Sequence, residues 1–372
     1  MKKLVVAAQC GGEALEYLYA AAGRFMERHP SVGVEIRQVN GNFELDRLVR
    51  SGTAVDLIHM SESLFRPYLE EGIVRDLLPF IERDGGVAAD DFYGGALRGP
   101  SWDGRLAAIP VDVMVPLIFY RKEAFREAGL PEPDGGWDFE AFARVARALT
   151  TGGQWGIRLG VDIEWYEPFV RRGAGPLVAP DGSTVKGYLD SGAVRDMFRR
   201  IVDWYRTDRI APPPGTLGEY PFEREYAMVH AFSCWIPWVS AHHPGEYVAV
   251  GLPRASGGED TTMMYMGGFG IASASGSPDE AWLFLKELAL GGPACEPWSL
   301  PALRSAAGRL GMREHPLWRA ALAELEKASQ SAFYLNRAWN AGRQLVNERL
   351  HAWIADGGDI ESSLRELAEY FG

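Results

Sequence analysis

Leu4-Val5-Val6-Ala7-Ala8 is a short apolar run that breaks on the polar, flexible Gln9-Cys10-Gly11-Gly12. Leu15, Leu18, Tyr19, Ala22, Phe25 and Met26 then recur at helical spacing, up to a stop at His29-Pro30. The two patterns read as a buried strand over 4–8 and a helix over 13–28. Glu in the first turn of that helix and Arg in its last suit the helix dipole. Working outward, Val34, Ile36 and Val39 alternate with polar residues and predict a strand over 32–39. A short helix over 43–51 stops at Gly52. Residues 55–59 predict a third strand, with Met60-Ser61-Glu62-Ser63 at its carboxyl end. The order β-α-β-α-β implies a parallel sheet. Ligands of such sheets bind beyond the carboxyl ends of the strands. The residues to watch are therefore 9–12, 40–42 and 60–62.

The remaining residues keep the α/β character. Trp102-Asp103-Gly104-Arg105 is a hairpin turn signal, followed by a long apolar run over 106–120 interrupted by Pro110 and Pro116. Proline inside a strand marks an edge, a bulge or a crossing between domains. Helices are predicted over 139–149, 190–206 and 278–290, and strands over 156–161, 226–230, 248–252 and 263–272. The last hundred residues read as helical: 301–307, 317–329, 336–355 and 359–370. At 372 residues the chain has the length of two domains.

Composition narrows the function. Apolar residues make up 47% and charged residues 24%, as in an ordinary folded protein. The net charge of −12 speaks against a general nucleic-acid-binding role. No apolar run reaches the length of a membrane span. The three cysteines, Cys10, Cys234 and Cys295, form no metal knuckle and leave at least one thiol unpaired. The start imitates a lipoprotein leader, but five apolar residues are too few for one. A natural leader is expected to lie outside this chain. The aromatic load is high, with 12 Trp, 14 Tyr and 17 Phe. Such rings serve either a core or a ligand.

The motifs of serine hydrolases, zinc proteases, P-loops and dinucleotide sites are absent. Asp162 and Glu164, beside Trp165, could act as a glycosidase acid and base if they shared one face of a strand.

From residue 55 onward the sequence resembles the extracellular solute-binding proteins of ABC importers, family 1, the group that contains the maltose-binding protein. The likeness lies in Val55-Asp56-Leu57-Ile58-His59 and Gly72-Ile73-Val74-Arg75-Asp76-Leu77. It continues through Trp102–Pro110, Leu117–Phe125, Glu127–Leu130, Trp137–Glu140 and Phe222–Trp235. Gly267-Gly268, Ala281–Leu285, Ser299–Arg304 and Ile360–Leu364 complete it, in order, over nearly the whole chain. Departures are Arg121 where the family has Asn, Arg224-Glu225-Tyr226 before Ala227-Met228, and the turn 9–12.

The resemblance implies a type II periplasmic-binding-protein fold. It has two α/β lobes, each a mainly parallel sheet flanked by helices, joined by hinge strands. The lobes would be 1–110 with 268–315, and 111–267 with 316–372. A small-molecule ligand, a mono- or oligosaccharide, would be clamped by hinge closure and delivered to a membrane permease. The protein would be an extracytoplasmic monomer, periplasmic or lipid-anchored, without cofactor, metal or catalytic residues. Sugars want ring faces for their C–H surfaces and amides, carboxylates or guanidinium groups for their hydroxyls. By position, the expected ligand-binding residues are Gln9, Asn42, Glu62, Asp112, Trp165, Tyr166, Trp235, Tyr265, Gly267, Arg304 and Trp339. Tyr166 is expected on an exposed loop. The alternatives are the same clamp for another solute, such as a polyamine, and a glycan-active enzyme.

Overall fold

The computed structural model describes residues 2–84, 89–218, 220–290 and 299–372. Cys295 lies outside the described residues. The chain divides into two compact units, Met1–Met114 with Tyr265–Glu314 and Val115–Met264 with His315–Gly372.

The first unit opens with strand β1 (Lys2–Ala8), helix α1 (Gly12–Arg28), β2 (Val32–Gln38), helix α2 (Gly41–Arg50), β3 (Leu57–Ser61) and helix α3 (Glu62–Glu70). β1 pairs in parallel with both β2 and β3, as the β-α-β-α-β order predicts. The apolar stripe of α1 buries Leu18, Ala21, Ala22 and Phe25, and the Phe25 ring packs 4.9 Å from Phe284 of the helix Pro278–Ala289. β4 (Ser101–Trp102) and β5 (Arg105–Leu106) form the expected hairpin. Asp103 and Gly104 both take positive φ there, as its two-residue turn requires. The Arg75-Asp76 pair acts as a staple. Asp76 Oδ1 accepts from the Leu78 and Leu106 amides at 3.0 and 2.9 Å. The Arg75 guanidinium donates to the carbonyls of Ala272, Ser273 and Ser275.

The Pro-broken run is two strands, β6 (Ile109–Met114) and β7 (Pro116–Arg121), and the unit boundary falls between them at Val115. In the second unit, β8 (Trp155–Arg158), β9 (Tyr226–Phe232) and β10 (Tyr247–Val250) join β7 in the order β10-β7-β9-β8. Gly156 lets the helix Phe139–Leu149 lie against β8, because a Cβ there would sit 2.0 Å from the Ala146 carbonyl oxygen. Arg121 explains its own departure from the family pattern. Its guanidinium donates to the carbonyls of Tyr226 and Arg224 and to Gln154, tying the end of β7 to the approach of β9.

β11 (Thr262–Ile271) carries the chain back. Its first residues pair with β12 (Ala328–Gln330) in the second unit, and its later ones pair antiparallel with β6 and β3 in the first. β12 replaces the end of the helix expected over 317–329, which stops at Glu326. The helix expected over 336–355 breaks at Gly342 into Arg337–Ala341 and Arg343–Asp356. A Cβ at Gly342 would lie 1.9 Å from the Phe371 ring. Among the described residues no helix is long and apolar enough to cross a membrane.

Candidate functional site

In the first unit, three parallel strands deliver their carboxyl ends to one polar cluster. Gln9 follows β1, Asn42 lies in the first turn of α2, and Ser61 closes β3. Gln9 Nε2 donates to Asn42 Oδ1 at 2.6 Å, and Ser61 Oγ donates to the same oxygen at 3.1 Å. Asn42 Nδ2 donates to Ser63 Oγ at 2.8 Å. Gln9 Oε1 is buried without a partner. Glu62 opens α3, where its charge meets the positive end of the helix dipole. Phe43, next to Asn42, is 84% exposed. Its place in an ordinary helical pattern gives no sign of that exposure.

Asp112 stands on β6 directly across from Gly267 of β11. A Cβ at 267 would sit 2.2 Å from Asp112 Oδ1, so glycine is what lets the carboxylate lie against that strand. Asp112 Oδ1 is buried and accepts no hydrogen bond. His59 Nε2 is 3.9 Å away, too far to donate. The His59 ring is buried against Phe269, and both its nitrogens lack partners. Burial, then the charge of Asp112, pushes the Cys10 thiol up to about 11. Cys10 therefore stays protonated at neutral pH and is no nucleophile. This face presents amides, hydroxyls and one under-satisfied carboxylate, with no Lys or Arg among the groups named.

Two other first-unit residues are placed differently. Arg304 turns its guanidinium to the carbonyls of Asp90 and Phe92 and covers the Tyr93 ring at 4.9 Å, so it holds the chain together. Tyr265, opposite Met114, has no exposed surface.

In the second unit, Trp165 is partly exposed. It packs against His230 at 5.2 Å and Phe232 at 4.9 Å, over Gly160. Trp235 is partly exposed too, in the turn Ser233–Trp235 after β9, with Phe222 and Trp238 each 5.8 Å away. Tyr166 corrects the sequence reading. It lies on the helix Ile163–Gly173, fully buried, with its hydroxyl on that of Tyr205. Ile163, Tyr166, Phe169 and Val170 have helical spacing, and Asp162 accepts from the Glu164 amide as the cap. Those signals were present in the sequence. Trp339 is another correction, buried between Phe333 and Phe371. Neither ring offers a face to a ligand.

Asp162 and Glu164 share no strand face. The Arg343 guanidinium binds both, and Asn347 donates to Asp162 at 2.5 Å. Burial holds the Glu164 carboxyl above its ordinary value, and Arg343 opposes that. The pair closes the start of a helix and has the partners of a structural site. Among the described residues no group of His, Cys, Asp or Glu could hold a metal ion.

His230, on β9 beneath Trp165, is pushed down to about 3 by burial. It folds as the neutral ring, while the unfolded chain takes up a proton below about 6.5. Its contribution is therefore present above that pH and is lost as the pH falls toward 3. Urea midpoints measured from pH 7 to pH 4 should fall, and His230→Phe should flatten that part of the curve.

The description of bacterial extracellular solute-binding proteins matches residues 11–219, more than half of the chain. No match to a curated protein sequence is found. The fold is shared with solved structures of low identity. An ABC substrate-binding protein from Listeria monocytogenes in complex with cycloalternan has a TM-score of 0.85 at 17% identity, with 100% of this chain and 97% of that one covered. The sugar-binding protein MalE from Xanthomonas citri gives 0.86 at 17%, covering 100% and 96%. UgpB from Mycobacterium tuberculosis, in complex with glycerophosphocholine, gives 0.83 at 16%, covering 100% and 98%. The first and the last of these hold unlike ligands on one α/β architecture, so the ligand must be argued from side chains. On the family match, the chain belongs to the bacterial extracellular solute-binding proteins.

Proposed function

We propose that the protein is the binding component of an ABC importer, and that its solute is a carbohydrate which it hands to a membrane permease. The observation that carries this is the polar face of the first unit. Gln9, Asn42, Ser61 and Ser63 form a neutral amide and hydroxyl network, and the buried Asp112 Oδ1 beside Gly267 waits for a donor. Sugar hydroxyls both donate and accept, so they can join such a network without bringing a charge. The partly exposed Trp165 and Trp235 of the second unit supply ring faces for sugar C–H surfaces. Hinge closure belongs to the same reading, with ligand shifting the equilibrium through its greater affinity for the closed form.

A polyamine would call for several carboxylates among the rings. The first-unit face offers Asp112 and Glu62 among neutral groups, which favours the sugar. An anion would meet the Asp112 charge without a compensating Lys or Arg in the set. A thermal-shift screen with mono- and oligosaccharides on one side and polyamines on the other tests the reading. Stabilisation by a sugar is the expected result; a shift from polyamines alone would overturn it. With the ligand in hand, Trp235→Ala should weaken binding by about tenfold or more, the loss of one stacked ring. Titration calorimetry reads this, and an unchanged Kd in a folded variant would remove Trp235 from the site.

A further inference from the structure

His59 is a buried ring whose polar atoms have nothing to bind. Its side chain is 6% exposed, and neither ring nitrogen has a hydrogen-bond partner among the described residues. Such a group costs stability and calls for a reason. The ring packs on Phe269 at 4.8 Å, and Asp112 Oδ1, itself buried without a donor, lies 3.9 Å from Nε2.

The sheet explains how the two groups meet. β11 runs between β3 and β6, pairing His59 with Phe269 and Asp112 with Gly267. Side chains on the outer two of three strands are ordinarily kept apart by those of the middle one. Here the middle residue beside Asp112 is Gly267, and a Cβ there would lie 2.2 Å from Asp112 Oδ1. The register also slips between Gly267 and Gly268, the kind of bulge that re-aims a side chain. Alternation along β3 puts His59 on the same face as Ser61, which donates to Asn42. The pair therefore borders the polar cluster.

Few charges surround the ring. Val6 and Ala7, which pair β1 with β3, are apolar. Cys10, after β1, is held protonated by burial and by Asp112. β11 carries no charged side chain, and its ionisable one is the buried Tyr265. Asp112 is the one charge on β6. On α3, Arg66 pairs with Glu70 and covers the Trp102 ring, the Tyr68 hydroxyl donates to Asp46, and Glu62 is half-buried at the helix start. A proton arriving on His59 thus finds its acceptor in Asp112.

We infer that His59 is a positioning residue for Asp112, which makes solute binding sensitive to acid. The neutral ring leaves the carboxylate to the solute. The protonated ring donates to Oδ1 and takes that acceptor away. An approach of about one ångström brings the two atoms to hydrogen-bond distance. Affinity is therefore full above the range in which a histidine ring titrates and is lost as the pH falls through it. This rests on the carbohydrate reading above, with Asp112 as an acceptor for the solute.

A thermal-shift screen at pH 8 with glucose, galactose, mannose and the malto-, cello- and manno-oligosaccharides selects the probe sugar. Titration calorimetry then follows its Kd from pH 8 to pH 5.5. The Kd should rise about tenfold, the effect of a proton that excludes the solute, read one unit below a histidine's ordinary value. Carboxylates ordinarily titrate below that range. His59→Phe should flatten the profile to within about twofold. Should that variant fail to fold, nitrogen-15 NMR of the ligand-free parent with labelled histidines decides. At pH 5.5 it should show a slowly exchanging Nε2 proton that Asp112→Asn loses. A flat profile in the parent, an undiminished slope in folded His59→Phe, or the lack of that proton would each overturn the inference and leave the carbohydrate reading standing. Stabilisation by none of the sugars would overturn both.

Discussion

Arg172→Met should destabilise the second unit by about 3 kcal/mol, because it removes one of the two cations that hold the buried Glu324 carboxylate. The Arg172 side chain has no exposed surface, and that of Glu324 is 6% exposed. Arg172 Nη1 donates to Glu324 Oε2 at 2.9 Å, and Nη2 donates to Asp260 Oδ1 at 3.3 Å. Lys327 reaches both carboxylates, at 2.9 and 3.0 Å, and Arg254 adds a contact to Asp260 at 3.2 Å. Burial works against the Asp260 charge, yet Lys327, Arg172 and Arg254 hold its carboxyl below the ordinary value. Glycine at 251 is part of the arrangement, since a Cβ there would lie 2.3 Å from Glu324 Oε1.

The network joins three segments far apart in sequence: the end of the helix Ile163–Gly173, the approach to β11, and the end of the helix Pro316–Glu326. It ties the returning C-terminal segment to its unit. Urea unfolding followed by tryptophan fluorescence reads the loss as a lower midpoint at unchanged slope. Arg172→Met combined with Glu324→Leu should recover much of it, because a well-packed apolar pair can replace a buried ion pair. A single variant as stable as the parent would show that the charges are better solvated than their burial indicates.

Nothing in the sequence announces that network. Arg172, Asp260 and Glu324 carry no spacing signal, because their partners come from other segments. The opening β-α-β-α-β order was legible because each element declares itself locally, by alternation, helical period or a stop such as His29-Pro30. Gly267 was legible as a place where something approaches the backbone, and what approaches is the Asp112 carboxylate. Tyr166 was misread because Trp165-Tyr166 follows a strand and looks like loop, although the apolar spacing through Val170 and the Asp162 cap spell a helix. Trp339 and Arg304 were placed by family likeness alone, which says where a residue lies along the chain and nothing about which way it points. Phe43 went unnoticed for the opposite reason. An exposed ring on an otherwise ordinary helix or loop has the same sequence signature as a buried one.

Asp112 should respond to mutation in the opposite sense from Arg172. Its Oδ1 is buried without a donor, so the ligand-free protein carries a desolvated acceptor that contributes nothing to its stability. Removing the carboxylate should leave the ligand-free protein as stable as the parent or slightly more stable, as expected where a site is kept under-satisfied for function. Binding should suffer instead. A hydrogen bond to a charged acceptor contributes about 1.5–3 kcal/mol, so Asp112→Ala should weaken ligand affinity roughly ten- to a hundredfold. Asp112→Asn separates the two classes of solute. A neutral sugar hydroxyl can still donate to the amide oxygen, so Asn should restore part of the affinity lost in Ala. A polyamine would lose its charge partner in both variants, and Asn would then restore little. Calorimetry on the three proteins, beside their urea midpoints, gives both readings from one set of samples. A clear drop in ligand-free stability on removing Asp112 would mean that the carboxylate serves the fold and that its unpaired oxygen is no acceptor kept for the ligand.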